Sequence, residues 1–303
     1  MENEFWLQMD DGVEVYVKKW SNETKKPNAI IQLAHGMVEH INRYSEFANF
    51  LVKHNIFVYG NDLRGHGKTG VKQGLLGYFA AKDGFEKTTN DLHVITKHIK
   101  TEHPNTPIIL LGHSMGSFLV RNYIQTYSRN IDGVILSGTG YFPPLKSQAG
   151  KRLAALLPPK EESKLMNTLA FGSYNRKIKS KNSSFDWLSG DESAVQDYMD
   201  DPHSGFIPTA RFFYDLMSGL IRMQDHQLNK SIRHDIPVLL ISGDADPVGD
   251  YAKGIWKTAH LYQDAGLQDI TTMLFENGRH ELLNELNKDE VYETILSWVT
   301  KYY

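Results

Sequence analysis

Residues 108–118 of this chain read Ile108-Ile109-Leu110-Leu111-Gly112-His113-Ser114-Met115-Gly116-Ser117-Phe118. A short apolar run typical of a buried strand ends in Gly-x-Ser-x-Gly, and helix-forming residues follow. The pattern predicts a nucleophile elbow, a sharp strand-to-helix turn with Ser114 strained at its apex. We expect Gly112 and Gly116 to be required there because the two backbones come too close for a Cβ. Gly-x-Ser-x-Gly alone also occurs by chance in loops. The strand pattern before it and the helix pattern after it make the motif more specific for a nucleophile elbow.

The composition is that of an ordinary globular protein with room for a large core. The chain has 303 residues, of which 41% are hydrophobic and 23% charged, with a net charge of −3 and no cysteine. Disulfides, thiolate chemistry and cysteine-ligated metals are therefore excluded, and no basic run is long enough to follow a phosphate backbone. The first residues lack the pattern of a signal peptide, and no apolar segment approaches the roughly 20 residues of a membrane span. We expect a cytoplasmic protein.

Short apolar runs alternate with helical stretches over the first 140 residues. Val13–Trp20 alternates like a half-buried strand, and the apolar runs bounded by turn residues are Ala29–Ala34, Ile56–Tyr59, Ile108–Leu111 and Val134–Leu136. The stretches between them that have helical patterns are Tyr44–His54, Gly84–Glu102 and Met115–Tyr127. Alternation of this kind predicts an α/β fold with a mostly parallel, doubly wound sheet.

The alternation stops after Gly140 and resumes about ninety residues later. Residues 141–229 carry two Pro-Pro pairs, a basic patch at 177–181 and helical segments without clear strands. Strand patterns return at 238–242 and 270–275, and an amphipathic helix is predicted over Lys288–Tyr302. We therefore expect a core formed by residues 1–140 and 230–303, with a helical cap at 141–229 inserted over the carboxyl ends of the strands.

A serine nucleophile needs a general base and a carboxylate that orients this base, in the chain order Ser, acid, His for this type of sheet. Asp246 follows the strand at 238–242, and His280 follows the strand at 270–275, so both are expected at the same sheet edge as Ser114. Asp244 competes with Asp246, and we favour Asp246 because it lies further beyond the strand end. The alternative is that all three are ordinary polar loop residues.

An oxyanion hole requires two backbone N–H donors near the serine. The residue after the serine, Met115, would supply one, and Met37 in the loop after an early strand would supply the other. Gly36 would let the amide of Met37 face the site. The alternative is a simple turn after the strand.

Two further patterns are given no catalytic role. Residues 62–67, Asp-Leu-Arg-Gly-His-Gly, are interpreted as a turn held by a buried ion pair between the arginine and the aspartate. The chain has 13 histidines, but no His-x-x-x-His or His-Glu-x-x-His spacing occurs, so metal catalysis is not expected.

Taken together, these motifs resemble the monoacylglycerol lipase and lysophospholipase branch of the α/β-hydrolases. The matching motifs are His35–His40 with Arg43-Tyr44, Asp62–Gly67, Gly112–Gly116, Asp246, His280 and, in the cap, Asp201–Phe206. The resemblance implies a Ser114–Asp246–His280 triad with Met37 and Met115 as oxyanion donors. It also implies that Arg43 and His113 lie near the polar head of the substrate. The resemblance further implies a cap that forms an apolar acyl tunnel and can rest on a membrane. Met37 departs from the family pattern, because relatives often have a smaller residue at this position.

The expected function is hydrolysis of carboxylic esters of single-chain acyl lipids, with monoacylglycerol preferred and with no cofactor, metal or nucleic acid. The alternatives are a lysophospholipid, an acyl thioester or a short peptide as substrate, and a non-catalytic binding protein, against which the complete triad argues. Residues 153–157, Leu-Ala-Ala-Leu-Leu, lie between Lys151-Arg152 and Lys160. They are expected either to touch a membrane transiently or to pack on the core.

Overall fold

The computed structural model describes residues 1–22, 24–178 and 182–303, so most of the basic patch at 177–181 lies outside the described residues. Its centre is one eight-stranded sheet with the strand order β1-β2-β4-β3-β5-β6-β7-β8. β1 and β2 pair antiparallel, as do β2 and β4, and all other pairs are parallel. The strands are β1 Glu2–Gln8, β2 Glu14–Trp20, β3 Ala29–Ala34, β4 Ile56–Asn61, β5 Ile108–His113, β6 Gly133–Ser137, β7 Val238–Gly243 and β8 Ile270–Phe275. The α/β-hydrolase fold expected from the sequence is confirmed.

Helices cover both faces of the sheet. The helices are α1 Ser45–Lys53, α2 Gly67–Gln73, α3 Gly84–Glu102, α4 Met115–Tyr127, α5 Pro144–Ala155, α6 Lys164–Phe171, α7 Glu192–Asp200, α8 Ala210–Met223, α9 His226–Asn229, α10 Lys253–Asp264 and α11 Lys288–Tyr302. Apolar side chains of α1 and α11 fill the core on one face, and those of α3, α4, α8 and α10 fill it on the other. Within the described ranges, no helix combines the length and apolar composition that crossing a bilayer requires.

The apolar run that precedes Ser114 illustrates why these short segments form strands. Ile108 and Leu110 belong to the core with α3 and α4, whereas Ile109 and Leu111 belong to the core with α1 and α11. Side chains alternate between the faces of a strand, so a strand covered on both faces needs apolar residues at every position. All four are fully buried. β5 is therefore a central strand, and its carboxyl end points toward the site.

Three elements, β1, α2 and α10, are not predicted from the sequence. β1 is polar because it lies at the edge of the sheet, where most of its side chains are at least partly exposed. Its pairing also explains why β2 is more buried than the half-buried strand expected over Val13–Trp20, since strands flank it on both sides.

Helices α5 to α9 lie between β6 and β7, and we call these helices and the described segments that connect them the cap. α8 packs against α5 within the cap and against α3 and α4 of the core. The apolar stretch at the end of α5 is divided between the two expected environments. Ala154 is buried, and Leu153 and Leu157 pack against the core, while Leu156 is 83% exposed.

The turn at residues 62–67 has the structural role that was expected, but its ion pair has different partners. The buried Arg64 binds Asp91 through Nε at 2.6 Å and Asp11 through Nη1 at 2.8 Å, and does not pair with Asp62. Asp62 instead accepts the backbone N–H of Ile41 and of Lys68, at 2.9 and 2.6 Å. The prediction of an Asp62–Arg64 pair was wrong because both side chains find better-placed partners outside their own loop.

Candidate active site

Ser114 lies at the turn between β5 and α4 with φ 51° and ψ −121°, a backbone conformation that a non-glycine residue adopts only under strain. The two glycines of the motif allow this turn. A Cβ on Gly112 would lie 2.5 Å from the carbonyl oxygen of Gly116, and a Cβ on Gly116 would collide with the carbonyl of Ala34 in β3. The local sequence thus presents the Ser114 hydroxyl at the carboxyl end of the sheet.

His280 and Asp246 meet Ser114 at this edge. The Oγ of Ser114 is 2.8 Å from Nε2 of His280, and Nδ1 of His280 is 3.0 and 3.1 Å from the carboxylate oxygens of Asp246. Both side chains are buried, and the Val248 N–H also donates to Asp246 at 2.8 Å. Asp244 is exposed on the preceding turn. This geometry lets a neutral imidazole accept the serine proton while the carboxylate orients the ring.

The electrostatic surroundings favour a basic His280. Burial of the ring acts to lower the pKa of His280, but the Asp246 carboxylate acts against it. The carboxylates of Glu281 and Glu39 act in the same direction as Asp246, and the pKa of His280 is raised above its ordinary value. A base of this kind is a stronger proton acceptor than a free imidazole.

The loop after β3 lies beside Ser114, since a Cβ on Gly36 would be 3.2 Å from Cβ of Ser114, and Met37 lines the same cavity as Ser114. Neither the Met37 N–H nor the Met115 N–H donates to another residue in the described part of the chain. Met115 is the first residue of α4, so its N–H also lies at the positive end of that helix. Two free donors beside the serine can stabilise a developing oxyanion.

His35 holds the start of this loop. Its Nδ1–H donates to the carbonyl of Gly36 at 2.8 Å, and its Nε2 accepts the backbone N–H of Leu63 at 3.0 Å. Burial and the neighbouring His66 keep the pKa of His35 well below its ordinary value. His35 is therefore a neutral structural side chain, since both nitrogens have fixed roles.

A cavity of about 290 Å³ opens in front of Ser114 between the core and the cap. Its wall is mostly apolar and aromatic, and much of it comes from the cap, with Phe171, Phe185, Trp187, Leu188 and Phe206. Polar groups complete it, namely His113, Glu39 and Glu281 from the core and Asn167, Thr168, Asn175 and Ser184 from the cap. Such a cavity suits an apolar chain with a small polar end.

Arg43 and His113, expected near the head of a substrate, occupy different places. His113 lines the cavity next to Ser114, and burial together with the nearby His280 lowers the pKa of His113 to about 4, which keeps it neutral. Arg43 does not line the cavity. Its guanidinium is nearly buried and binds Glu39 and Glu281, whose carboxylates line the cavity in its place.

Several residues that shape the site are not predicted from the sequence. The indole of Trp187, in the cap, packs on the His280 ring with centroids 5.0 Å apart. Gly138 has a positive φ of 60°, and a Cβ there would lie 3.0 Å from Cε1 of His280. Glu281 follows His280 directly, but only the fold shows that it faces Arg43. Of these three residues, only Gly138 has a signal in the sequence, because it is a glycine that lies just after a predicted strand.

The fold and the arrangement around Ser114 define the class: an α/β-hydrolase that is a serine hydrolase. Residues 25–287 match the family model described as serine aminopeptidase S33, and the chain belongs to this family. The resemblance to the monoacylglycerol lipase branch is confirmed by its relatives.

The chain is similar to several esterases and lipases over nearly its whole length. It is 26% identical to a monoacylglycerol lipase of Mycolicibacterium smegmatis, covering 96% of this chain and 94% of that one. It is 27% identical to the monoglyceride lipase of Rattus norvegicus, covering 96% and 88%. A thermostable carboxyl esterase from Bacillus coagulans, solved in complex with glycerol, superposes with a TM-score of 0.91 at 28% identity and covers 99% and 98%.

Proposed function

We propose that this enzyme hydrolyses carboxylic esters of single-chain acyl lipids, with monoacylglycerol as the preferred substrate, giving a free fatty acid and glycerol. The observation that carries the proposal is the 2.8 Å contact between the strained Ser114 hydroxyl and His280, at the end of an apolar cavity. The names of the relatives support the same substrate class.

In the proposed mechanism, Ser114 Oγ attacks the ester carbonyl while Nε2 of His280 takes its proton. Asp246 holds the imidazole and stabilises the imidazolium, and the N–H groups of Met37 and Met115 bind the oxyanion. His280 then donates its proton to the leaving glycerol oxygen, and the carbonyl reforms as an acyl ester on Ser114. Water, deprotonated by His280, then attacks the acyl carbonyl, and His280 returns the proton to Ser114 Oγ as the C–Oγ bond breaks and the fatty acid leaves.

The polar end of the cavity favours a neutral leaving group. Glu39 and Glu281 together carry two negative charges, and Arg43 supplies one positive charge behind them. The phosphate of a lysophospholipid, which lies close to the ester, would meet a surface with one excess negative charge. Glycerol brings only hydroxyl groups, and the neutral His113 can exchange a hydrogen bond with one of them.

The substrate proposal is tested by comparing monoacylglycerol, lysophosphatidylcholine and the methyl ester of one acyl chain, octanoate. We expect monoacylglycerol to give the highest kcat/KM, since a site built to bond hydroxyls discriminates against an analogue without them. Faster hydrolysis of lysophosphatidylcholine would assign the enzyme as a lysophospholipase instead.

Aminopeptidase activity is the second candidate, and the same two carboxylates favour it. An excess negative charge beside the nucleophile can hold the α-ammonium group of a peptide. Hydrolysis of aminoacyl p-nitroanilides faster than of monooctanoylglycerol would establish this activity. We favour the lipid because the described residues of the cap contribute four aromatic side chains and a leucine to the cavity wall and no charged group that would bind a peptide, their polar residues there being the neutral Asn167, Thr168, Asn175, Ser184 and Tyr198.

We further propose that the enzyme is cytoplasmic and that the cap touches membrane surfaces transiently. Leu145 and Leu156 of the α5 region are 79% and 83% exposed, and Leu165 and Leu169 of α6 are 51% and 62% exposed. Lysine and arginine side chains flank them, which is typical of interfacial helices. The wild-type protein should co-sediment with anionic liposomes, and the double variant L156E/L169E should co-sediment less. Equal co-sedimentation of the two proteins would contradict the membrane contact.

A further inference from the structure

The geometry points to Arg43 as a positioning residue, which joins the loop that carries the Met37 N–H to the loop that carries His280. This inference rests on the proposed function, because it assigns Arg43 to the machinery of the Ser114 reaction. It removes Arg43 from direct contact with the substrate.

Three of the five N–H groups of the guanidinium donate to carboxylates of the protein. Nη1 donates to Glu39 Oε2 and to Glu281 Oε1, both at 2.6 Å, and Nη2 donates to Glu281 Oε2 at 2.7 Å. Its Cζ also lies 4.9 Å from the ring centroid of Tyr198 in the cap. A fork that binds one carboxylate through two nitrogens has a fixed direction, so Arg43 locks the relative positions of its partners.

Glu39 transmits this position to the oxyanion loop. Its Oε1 accepts the backbone N–H of Gly36 at 2.5 Å and the hydroxyl of Tyr44 at 2.7 Å. Gly36 directly precedes Met37, so the carboxylate fixes the peptide next to the proposed oxyanion donor. Without Arg43, the buried Glu39 charge would have no cation beside it, and its hold on this loop would weaken.

Glu281 transmits the position to the histidine loop. It follows His280 in the chain, accepts Asn284 Nδ2 at 3.1 Å and donates its backbone N–H to the carbonyl of Leu188 in the cap at 2.7 Å. Arg43 and Glu281 are 238 residues apart, so this contact is a bridge between distant segments. The Arg43 side chain therefore fixes the position of the loop that carries Met37 relative to the loop that carries His280.

Arg43 also balances charge around the base. The charged and titratable groups that face His280 come from four segments of the chain and are Asp246, His113, Glu281, Glu39 and, behind the last two, Arg43. The two glutamates act to raise the pKa of His280, and Arg43 offsets part of their charge. Removing one glutamate should lower the pKa at which His280 gains its proton.

The experiment uses p-nitrophenyl octanoate, whose leaving group needs no head-group contact, beside monooctanoylglycerol. Arg43→Ala should lower kcat on both substrates by about 10- to 100-fold with little change in KM, because the loops lose their alignment. Arg43→Lys should restore only part of kcat, since an ammonium group cannot bind both carboxylates as the fork does. Loss confined to monooctanoylglycerol, with wild-type kcat on the p-nitrophenyl ester, would overturn the inference and make Arg43 a head-group ligand.

A matched glutamate pair keeps the inference testable if Arg43→Ala does not fold. Glu281→Gln retains the shape of the side chain, and should move the acidic limb of the kcat/KM profile to lower pH by about half a unit to one unit. Glu285→Gln is the control, since Glu285 is also buried on this loop but binds the backbone N–H groups of Gly190 and Arg279 and not Arg43. Glu281→Gln should also lower kcat on both substrates, as Arg43→Ala does, because the Arg43 fork loses the carboxylate that it binds through two nitrogens. A kcat equal to that of Glu285→Gln would overturn the inference.

The inference and the proposed function fail separately. If Ser114→Ala retains activity on p-nitrophenyl octanoate, the proposed mechanism fails. If Ser114→Ala is inactive and the Arg43 and Glu281 variants match the wild type, only the role of Arg43 fails.

Discussion

Trp187 of the cap lies directly on His280, with ring centroids 5.0 Å apart, and its carbonyl accepts the His280 backbone N–H at 3.3 Å. The next residue of the cap, Leu188, accepts the N–H of Glu281. The cap therefore forms part of the support for the base, in addition to the wall of the cavity. Tyr198 reaches the other loop, since its hydroxyl donates to the carbonyl of Val38 at 3.1 Å.

This contact predicts that Trp187→Ala lowers kcat on p-nitrophenyl octanoate about tenfold, because a mobile imidazole spends less time aligned with Ser114. The measurement is steady-state kinetics at a pH where His280 is neutral. Trp256→Ala is the control, since Trp256 is 47% exposed on α10. Equal kcat values for the two variants would show that the cap does not support His280.

The two neighbouring aspartates should behave very differently. Asp246→Asn should lower kcat by about 10⁴, because an amide presents the wrong partner to Nδ1–H and favours the wrong tautomer. Asp244→Asn should change kcat by less than about tenfold, as expected for an exposed turn residue. The reverse pattern would mean that Asp244 is the acid, despite the 3.0 Å contact of Asp246 with His280.

The free energy of unfolding should decrease as the pH is lowered, partly because of His35. Its pKa is held well below that of a histidine in the unfolded chain, so unfolding takes up a proton once the pH falls below about 6.5. The stabilisation is complete above that pH and is lost as the pH falls toward the folded-state pKa. His35→Gln should reduce the slope of unfolding free energy against pH by up to about 1.4 kcal/mol per pH unit below pH 6.

Urea unfolding at several pH values between 7 and 5 measures this slope. The exposed His226→Gln is the matched control and should leave the slope unchanged. An unchanged slope in His35→Gln would mean that the imidazole is already protonated in the folded protein.

The sequence predicts the elbow and the three residues of the triad because each is recognised from a pattern in its own segment. Gly112 and Gly116 are required by a close backbone approach within a few residues, and Asp246 and His280 each follow a recognisable strand. Parallel strands bring their carboxyl ends to one edge, so the meeting of these side chains follows from the topology.

The surroundings of the triad depend on contacts between distant segments. The sequence resemblance placed Arg43 near the substrate, and nothing in its own segment shows that Glu281, 238 residues later, occupies its guanidinium. Trp187 lies in the cap outside any helix, so no periodic pattern in its own segment places it against His280. β1 was not predicted because it lies at the edge of the sheet and pairs with β2 alone. An exposed strand of this kind carries polar residues and so lacks the apolar pattern of the central strands.

The most direct test of the central claim is mass spectrometry after reaction with a fluorophosphonate probe. Wild-type protein should carry one adduct on Ser114, and Ser114→Ala should fold normally, take up no probe and lose on the order of 10⁴ to 10⁶ in kcat. An adduct on another residue, or turnover by Ser114→Ala close to that of the wild type, would contradict the account of this protein as a Ser114 hydrolase.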